Sequence, residues 1–555
     1  MTEAPLDRRR RDLDALATEP FDVLVIGGGI VGCGAVLDAT SRGLKAALVE
    51  RDDIAVGTSS RSSRLIHGGL RYLEQFHFGL VREALGERAR ILRLAPHLVH
   101  IEPFLFPLYG RPVVTRAFYE AGMTLYDLLG ARRDGGFHRH LSVPETLERS
   151  PALRRHGLRG ALVYHDAVED DARYTLAVAR TARDAGAIMV TRTQAEGFTE
   201  REGRLTAVGV VDRESGNAFD VQARAVIDAS GPWAADPSSP IASVSHGVLP
   251  SRGAHLLVRR DRIPSSVGLT IRVPGKAVFL VPWPGHWLIG TTDAPYEGPI
   301  DRPVASADEV GELIGAVNRA LDVDLQRDDI VGVYAGVRPL VAEIEGSGST
   351  VTASREHRVV VEPNGLVRIS GGKFTTYRLM ARDAVDAAIR GLGVMDPSQR
   401  PSRTADLRLV GAGDRVELER VSVEIAAAHG LAKNLAGRLV DRHGTEAREI
   451  ARLEAADGLL APLGPGITEL EVEIAWAARR ELAMSLDDVL ARRLRLVQQL
   501  PDRGASIVPR VAEILGAELG WDAARGAREI AEFNASARRE YSMPPAAELT
   551  PVQDR

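Results

Sequence analysis

The sequence is poor in several residues and patterns, and each shortage removes a class of protein. Cysteine occurs once, at Cys33, in 555 residues, so no disulfide can close within the chain and no cysteine cluster can hold a metal. Its place inside a glycine-rich stretch suits a small packing residue better than a redox group. No run of about 18 apolar residues occurs, which argues against a membrane-spanning helix. Residues 1–20 are charged and carry no apolar stretch, so no secretory signal is expected. The expectation is a cytoplasmic protein, with peripheral contact on the inner face of the cell membrane left open. An excess of positive charge is missing too: the net charge of −5 gives no footing for nucleic acid, and the Arg8 to Arg11 run reads as a solvated N-terminal helix or tail. Lysine is scarce, with only Lys45, Lys276, Lys373 and Lys433 among 70 basic residues. A lysine kept in such a chain is a candidate for chemistry that arginine cannot perform.

What is present is ample for a core: 45% of residues are hydrophobic and 26% charged. A single core stops growing at roughly 250–300 residues, so two or three domains are expected. Residues 21–26 read as a buried strand, 33–42 as a helix and 46–49 as a second strand ending at Glu50, a βαβ unit. Further strands are predicted at 206–212, 224–229, 254–259, 277–281 and 286–291, and helices at 80–94, 172–186, 306–321 and 376–391. Interleaved strands and helices with consecutive strands in the middle imply a nucleotide-binding α/β domain carrying an inserted antiparallel-sheet domain. Residues 394–406 read as a linker and 418–541 as almost wholly helical, with a helix start at Ser485, Asp487 and Asp488. The division expected is an extension over 1–20, a nucleotide-binding region over 21–393 and a C-terminal helical domain over 407–555.

Gly27-Gly28-Gly29-Ile30-Val31-Gly32 fits G-x-G-x-x-G between the first strand and helix. Gly27 permits the tight turn, Gly29 lets the backbone approach a pyrophosphate, and Gly32 lets helix and strand pack closely. The helix N-terminus offers N–H groups to the phosphates. Glu50, 18 residues past Gly32, sits where a carboxylate can accept both ribose hydroxyl hydrogens. The loop alone does not separate NAD from FAD. The hydroxyl- and glycine-rich run at 57–69 could wrap a pyrophosphate and a flavin edge, and the aliphatic Leu65, Ile66 and Leu70 within it argue for an ordered loop.

Thr58-Ser59-Ser60-Arg61-Ser62-Ser63-Arg64-Leu65-Ile66-His67-Gly68-Gly69-Leu70-Arg71-Tyr72-Leu73-Glu74 resembles a block of the FAD-dependent, respiratory glycerol-3-phosphate dehydrogenases. Four later blocks resemble the same family in the same order: Gly290-Thr291-Thr292-Asp293, Gly336-Val337-Arg338-Pro339-Leu340, Ser354-Arg355-Glu356-His357 and Gly371-Gly372-Lys373-Phe374-Thr375-Thr376-Tyr377-Arg378. The likeness covers about residues 20–390 well and 400–545 more loosely. Departures are Arg64, where lysine is frequent, Ser230 in place of threonine in Asp228-Ala229-Ser230-Gly231-Pro232-Trp233, and the poorly fitting 236–248.

The resemblance implies the fold class α/β plus α: a Rossmann-type FAD-binding domain of the glutathione-reductase or D-amino-acid-oxidase kind, an inserted antiparallel-sheet substrate domain, and a C-terminal helical domain. It implies FAD held by Gly27, Gly29, Ile30, Gly32, Glu50, Thr58, Ser59, Ser60, Arg64, Leu65, Ile66, His67, Gly68, Ser230, Gly231, Gly372, Lys373 and Thr375. It implies oxidation of sn-glycerol 3-phosphate to dihydroxyacetone phosphate by hydride transfer from C2 to flavin N5. Arg71, Tyr72, Thr291, Thr292, Arg338 and Arg355 would meet the substrate, His255 would be the base with His67 as the other candidate, and Lys373 would reach flavin and substrate. Electrons would pass to a quinone, and the resemblance implies a homodimer. Alternatives are a peroxide-forming oxidase on the same substrate, an amine or amino-acid oxidase of the same fold, and an FAD-bearing binding protein without turnover. Aromatics and arginines over 104–129 suit a membrane headgroup interface or, somewhat better, a buried helix pair.

Overall fold

The computed structural model describes residues 3–69, 77–110, 122–127, 137–241, 247–273, 276–341, 356–393 and 396–545. Arg71, Tyr72 and Arg355, all expected against substrate, lie outside the described residues.

Phe21–Ile26 is apolar almost throughout because it lies inside a mainly parallel sheet covered on both faces. Its parallel neighbours are Ala46–Val49 and Ala218–Asp228. Ile188–Val190 and Val367–Gly371 extend the sheet in parallel, and His357–Val361 ends it in antiparallel sense. Alternate residues point to opposite faces. Val23, Val25, Leu48 and Ile227 therefore pack against the helices Ile30–Ser41, Asp171–Asp184 and Tyr377–Gly391. Leu24, Ile26, Val49 and Val226 pack against the antiparallel pair Thr193–Arg201 and Arg204–Asp212, together with Leu16 of the N-terminal helix Pro5–Thr18. That helix is not merely solvated: Arg9 pairs with Asp212 at 2.7 Å.

Among the described residues a second sheet has ten strands and is largely antiparallel. It is assembled from two stretches of chain. Leu65–Ile66, Val99–Tyr109, Arg139–Leu141 and Leu158–Glu169 precede the return to the first sheet, and Val248–Arg259 through Ile330–Val341 follow it. The expected insertion is thus made twice. The start of the aromatic stretch is a strand, Val99–Tyr109, not a helix. Pro103 and Pro107 obscure its alternation in the sequence, where Phe104, Phe106 and Leu108 face one core and Leu105 another.

Beyond residue 393 helices dominate, among them Arg415–His429, Val472–Arg480, Val508–Leu519 and Ala523–Tyr541. At the expected start the Ser485 N–H donates to Asp488 Oδ2 at 3.1 Å and the Asp488 N–H to Ser485 Oγ at 3.2 Å. The turn that follows, Asp488–Arg493, is wound as a π-helix. The stretch expected as a linker is docked, with the Ser402 hydroxyl donating to Asp38. Among the described residues no helix is long and apolar enough to cross a membrane.

Candidate active site

A cavity of about 1270 Å³ is lined from both sheets. Ordinary small-molecule pockets hold about 300–1,000 Å³, so this one suits a larger ligand or two together.

At one end lies the first strand-to-helix turn. Gly27 has a φ of +106°, and a Cβ on Gly32 would fall 1.9 Å from the Gly27 carbonyl oxygen, so only glycine fits there. Glu50 directly follows the next strand and is oriented by two backbone donors, Gly28 N–H at 2.6 Å and Asp52 N–H at 2.7 Å. Burial, with the Asp52 charge adding to it, pushes its carboxyl up to about 7. Ile30 N–H, expected free for phosphate, donates instead to Ser59 Oγ at 2.9 Å. The hydrogen of that hydroxyl is then available to a ligand. Cys33 is fully buried, and burial pushes its thiol up, which agrees with packing rather than reactivity.

At the other end, Val248–Arg259 and Ile330–Val341 pair so that Ser251 opposes Arg338 and His255 opposes Tyr334. Arg338 Nη2 donates to Thr291 Oγ1 at 2.9 Å, and Nη1 lies 3.6 Å from Asp293 Oδ1. Gly253 makes the space, since a Cβ there would fall 2.3 Å from Arg338 Nη2. His255 Nε2 is 2.8 Å from Ser63 Oγ, and its ring stacks on Tyr334 with centroids 4.8 Å apart. Its Nδ1 is buried and has no hydrogen-bond partner among the described residues. Burial first, then the charges of Arg338 and Arg64, hold this imidazole well below the usual histidine range, so it is neutral. Lys373 lines the cavity after Gly371 and Gly372, and Thr375 Oγ1 donates to the His67 carbonyl at 3.4 Å.

Residues 22–386 match the family described as FAD dependent oxidoreductase, and residues 402–526 match the C-terminal domain of alpha-glycerophosphate oxidase. Glycerol-3-phosphate dehydrogenase 2 of Mycobacterium tuberculosis is 44% identical over 531 residues, covering 95% of this chain and 89% of that one. The chain belongs to the FAD-dependent glycerol-3-phosphate dehydrogenase family. The human mitochondrial glycerol-3-phosphate dehydrogenase is 34% identical, covering 93% of this chain and 73% of that one. The solved structure of glycerol-3-phosphate dehydrogenase from Bacillus halodurans complexed with FAD superposes with a TM-score of 0.79 at 26% identity, covering 99% of this chain and 100% of that one.

As a member of this FAD-dependent family, the chain offers a cavity whose nucleotide end, walled by backbone and by a buried carboxylate, fits the cofactor. Gly27, Gly29, Ile30, Glu50, Thr58, Ser59, Leu65, His67, Ser230, Gly231, Gly372, Lys373 and Thr375 all line it. So do His255, Thr291 and Arg338. Six expected ligands do not line it. Gly32 and Gly68 serve packing: a Cβ on Gly68 would fall 2.7 Å from Leu85. Ile66 is fully buried in the first core. The Ser60 hydroxyl turns back to the Gly57 carbonyl at 3.4 Å. Arg64 is fully buried, donates to Gln498 and stacks on Trp283. The Thr292 hydroxyl donates to Glu309 Oε1 at 2.8 Å and accepts from the Ala254 N–H at 2.8 Å, so it ties the strand Val248–Arg259 to the helix Ala307–Ala320.

Several lining residues were not anticipated. Ser62 and Ser63 lay within the quoted block without roles, and Arg61 lines the cavity beside them. Asp166 carried no signal in the sequence. It accepts from Arg88 Nη1 and Tyr126 Oη, each at 2.7 Å, and Tyr126 Oη in turn accepts from Gly68 N–H at 2.9 Å. Burial pushes the Asp166 carboxyl up to about 6 against the pull of Arg88.

Proposed function

We propose that the protein oxidises sn-glycerol 3-phosphate to dihydroxyacetone phosphate and delivers the electrons to a quinone. The observation that carries this reading is the meeting, at one end of the cavity, of a guanidinium fixed by Thr291 and Asp293 with a neutral buried imidazole. Arg338 presents a planar fork suited to phosphate oxygens. His255, kept neutral, is in the form that takes a proton, here that of the C2 hydroxyl. Lys373 holds positive charge on the side of Gly371 and Gly372, and Thr291 orients both Arg338 and the substrate. When bound, FAD supplies a hydride acceptor at N5 for the hydrogen leaving C2.

The test is anaerobic. Mixing the yellow holoprotein with sn-glycerol 3-phosphate is expected to bleach the flavin band near about 450 nm, with slow recolouring in air and fast recolouring on adding a soluble quinone. Rapid recolouring in air with peroxide release would mean an oxidase, and no bleaching would sink the substrate assignment.

Glu50 gives a second expectation. Ribose hydroxyls donate to its ionised form, whereas its carboxyl in the free protein titrates at about 7. Cofactor binding then releases a proton, so apoprotein is predicted to bind FAD more tightly as pH rises from about 6 to 8, approaching tenfold per unit below the midpoint. The raised value also means that Glu50 stabilises the apoprotein at low pH and loses this as pH passes 7. The melting-temperature gain from FAD should therefore grow over the same range. Equal FAD dissociation constants at pH 6 and 8 would remove Glu50 from the ribose site.

A further inference from the structure

The C-terminal helices touch the cofactor loop from behind at several points. Arg495, 2% exposed and at a left-handed φ of +62°, sends Nη2 to the Ser60 carbonyl at 2.8 Å and to Asp171 Oδ1 at 2.9 Å. The other oxygen of Asp171 accepts from the Ser62 N–H at 2.9 Å and the Ser62 hydroxyl at 2.8 Å. Glu540 Oε2, in the last helix, accepts from Arg61 Nη2 at 2.5 Å, and Gln498 Oε1 accepts from Arg64 Nη2. Arg492 and Arg493 both grip Asp53, which is fully buried three residues after Glu50.

These contacts fall in a pattern. Ser60, Ser62 and Arg64 are held from behind, while Ser59, just before Ser60, and Ser63, between Ser62 and Arg64, line the cavity and bond to Ile30 N–H and His255. Ser63 has a held neighbour on each side and Ser59 has one in Ser60, and the buried charges of Arg495 and Asp171 in this network leave both hydroxyls little freedom to turn. The charges enforce this, because separating a buried pair leaves an ion without a partner.

We propose that Arg495, Gln498 and Glu540 are positioning residues for the flavin: the helical region sets the 58–64 loop, and through Ser59 and Ser63 it sets cofactor retention and the seat of His255. FAD binding and docking of the helices are then coupled, each strengthening the other. The inference rests on the family's FAD and not on the substrate, so failure of the glycerol 3-phosphate assignment would leave it standing.

The experiment uses the full-length protein with Arg495→Gln, Arg495→Lys and Glu540→Gln. Three quantities are read: the FAD dissociation constant of the apoprotein, the visible circular dichroism of the bound flavin, and the melting temperatures of apo and holo forms. Arg495→Gln is expected to weaken FAD at least tenfold and to change the flavin dichroism, with Arg495→Lys recovering most of both. Glu540→Gln is expected to do the same more weakly, about threefold, and decides the matter alone if Arg495→Gln does not yield folded protein. Equal melting losses in apo and holo forms, with FAD affinity within twofold and dichroism unchanged, would reduce these residues to scaffold and overturn the proposal.

Discussion

Replacing Arg338 with methionine is expected to lower kcat/KM for glycerol 3-phosphate by about 30- to 4,000-fold while FAD stays bound. Truncating one partner of a desolvated charge pair costs about 2–5 kcal/mol, and each 1.4 kcal/mol is a factor of ten. Arg338 is positioned for such a role by Thr291 Oγ1 at 2.9 Å and by the room Gly253 leaves. The comparison that isolates the phosphate is glycerol, which lacks it. Wild type and variant should differ far less on glycerol than on glycerol 3-phosphate. Equal losses on the two would mean that Arg338 serves something other than phosphate. Arg338→Lys should recover only part of the loss, since an ammonium keeps the charge but not the fork.

His255→Gln is the second large effect, with kcat predicted to fall about 10²- to 10⁴-fold, the usual worth of a positioned general base. Substrate affinity should change little, because glutamine keeps much of the volume and a polar end. In the free protein the imidazole is neutral well below pH 6.5, since burial, Arg338 and Arg64 all oppose its charge. A phosphate dianion beside Arg338 offsets part of that positive field and raises the imidazole toward its ordinary value. The acid limb due to His255 should therefore lie at higher pH in kcat than in kcat/KM. Stopped-flow reduction of the flavin across pH gives both profiles. An unchanged reduction rate in His255→Gln would return the role of base to His67 or to Asp166.

The legible parts of the molecule are those with local causes. The turn at Gly27 to Gly32 and the carboxylate at Glu50 are fixed by short-range geometry, which a sequence displays directly. The long helices were visible from their periodicity, as in Asp171–Asp184 and Tyr377–Gly391. Val99–Tyr109 was hidden by its prolines, and the double insertion by the fact that no residue announces which sheet a strand will join. The site was read less completely, for a related reason. Thr291 and Thr292 are adjacent and chemically alike, yet only the first lines the cavity, while the second, in the same irregular turn after His286–Gly290, bonds to Glu309 and Ala254, a choice that residue type does not reveal. Ser63 meets His255 across 192 residues and Arg495 meets Asp171 across 324, and such pairings exist only once the sheets have formed.

The bond between Arg61 and Glu540 joins positions 479 residues apart. At synthesis rates of about 5–20 residues per second, the two ends are made on the order of 25–100 s apart. For most of that interval the cofactor turn near the N-terminus is outside the ribosome, without the helices that brace its serines. Flavin loading is therefore expected to be a late event, completed after release of the finished chain, and a ribosome stalled before residue 490 should carry a nascent chain that holds FAD poorly.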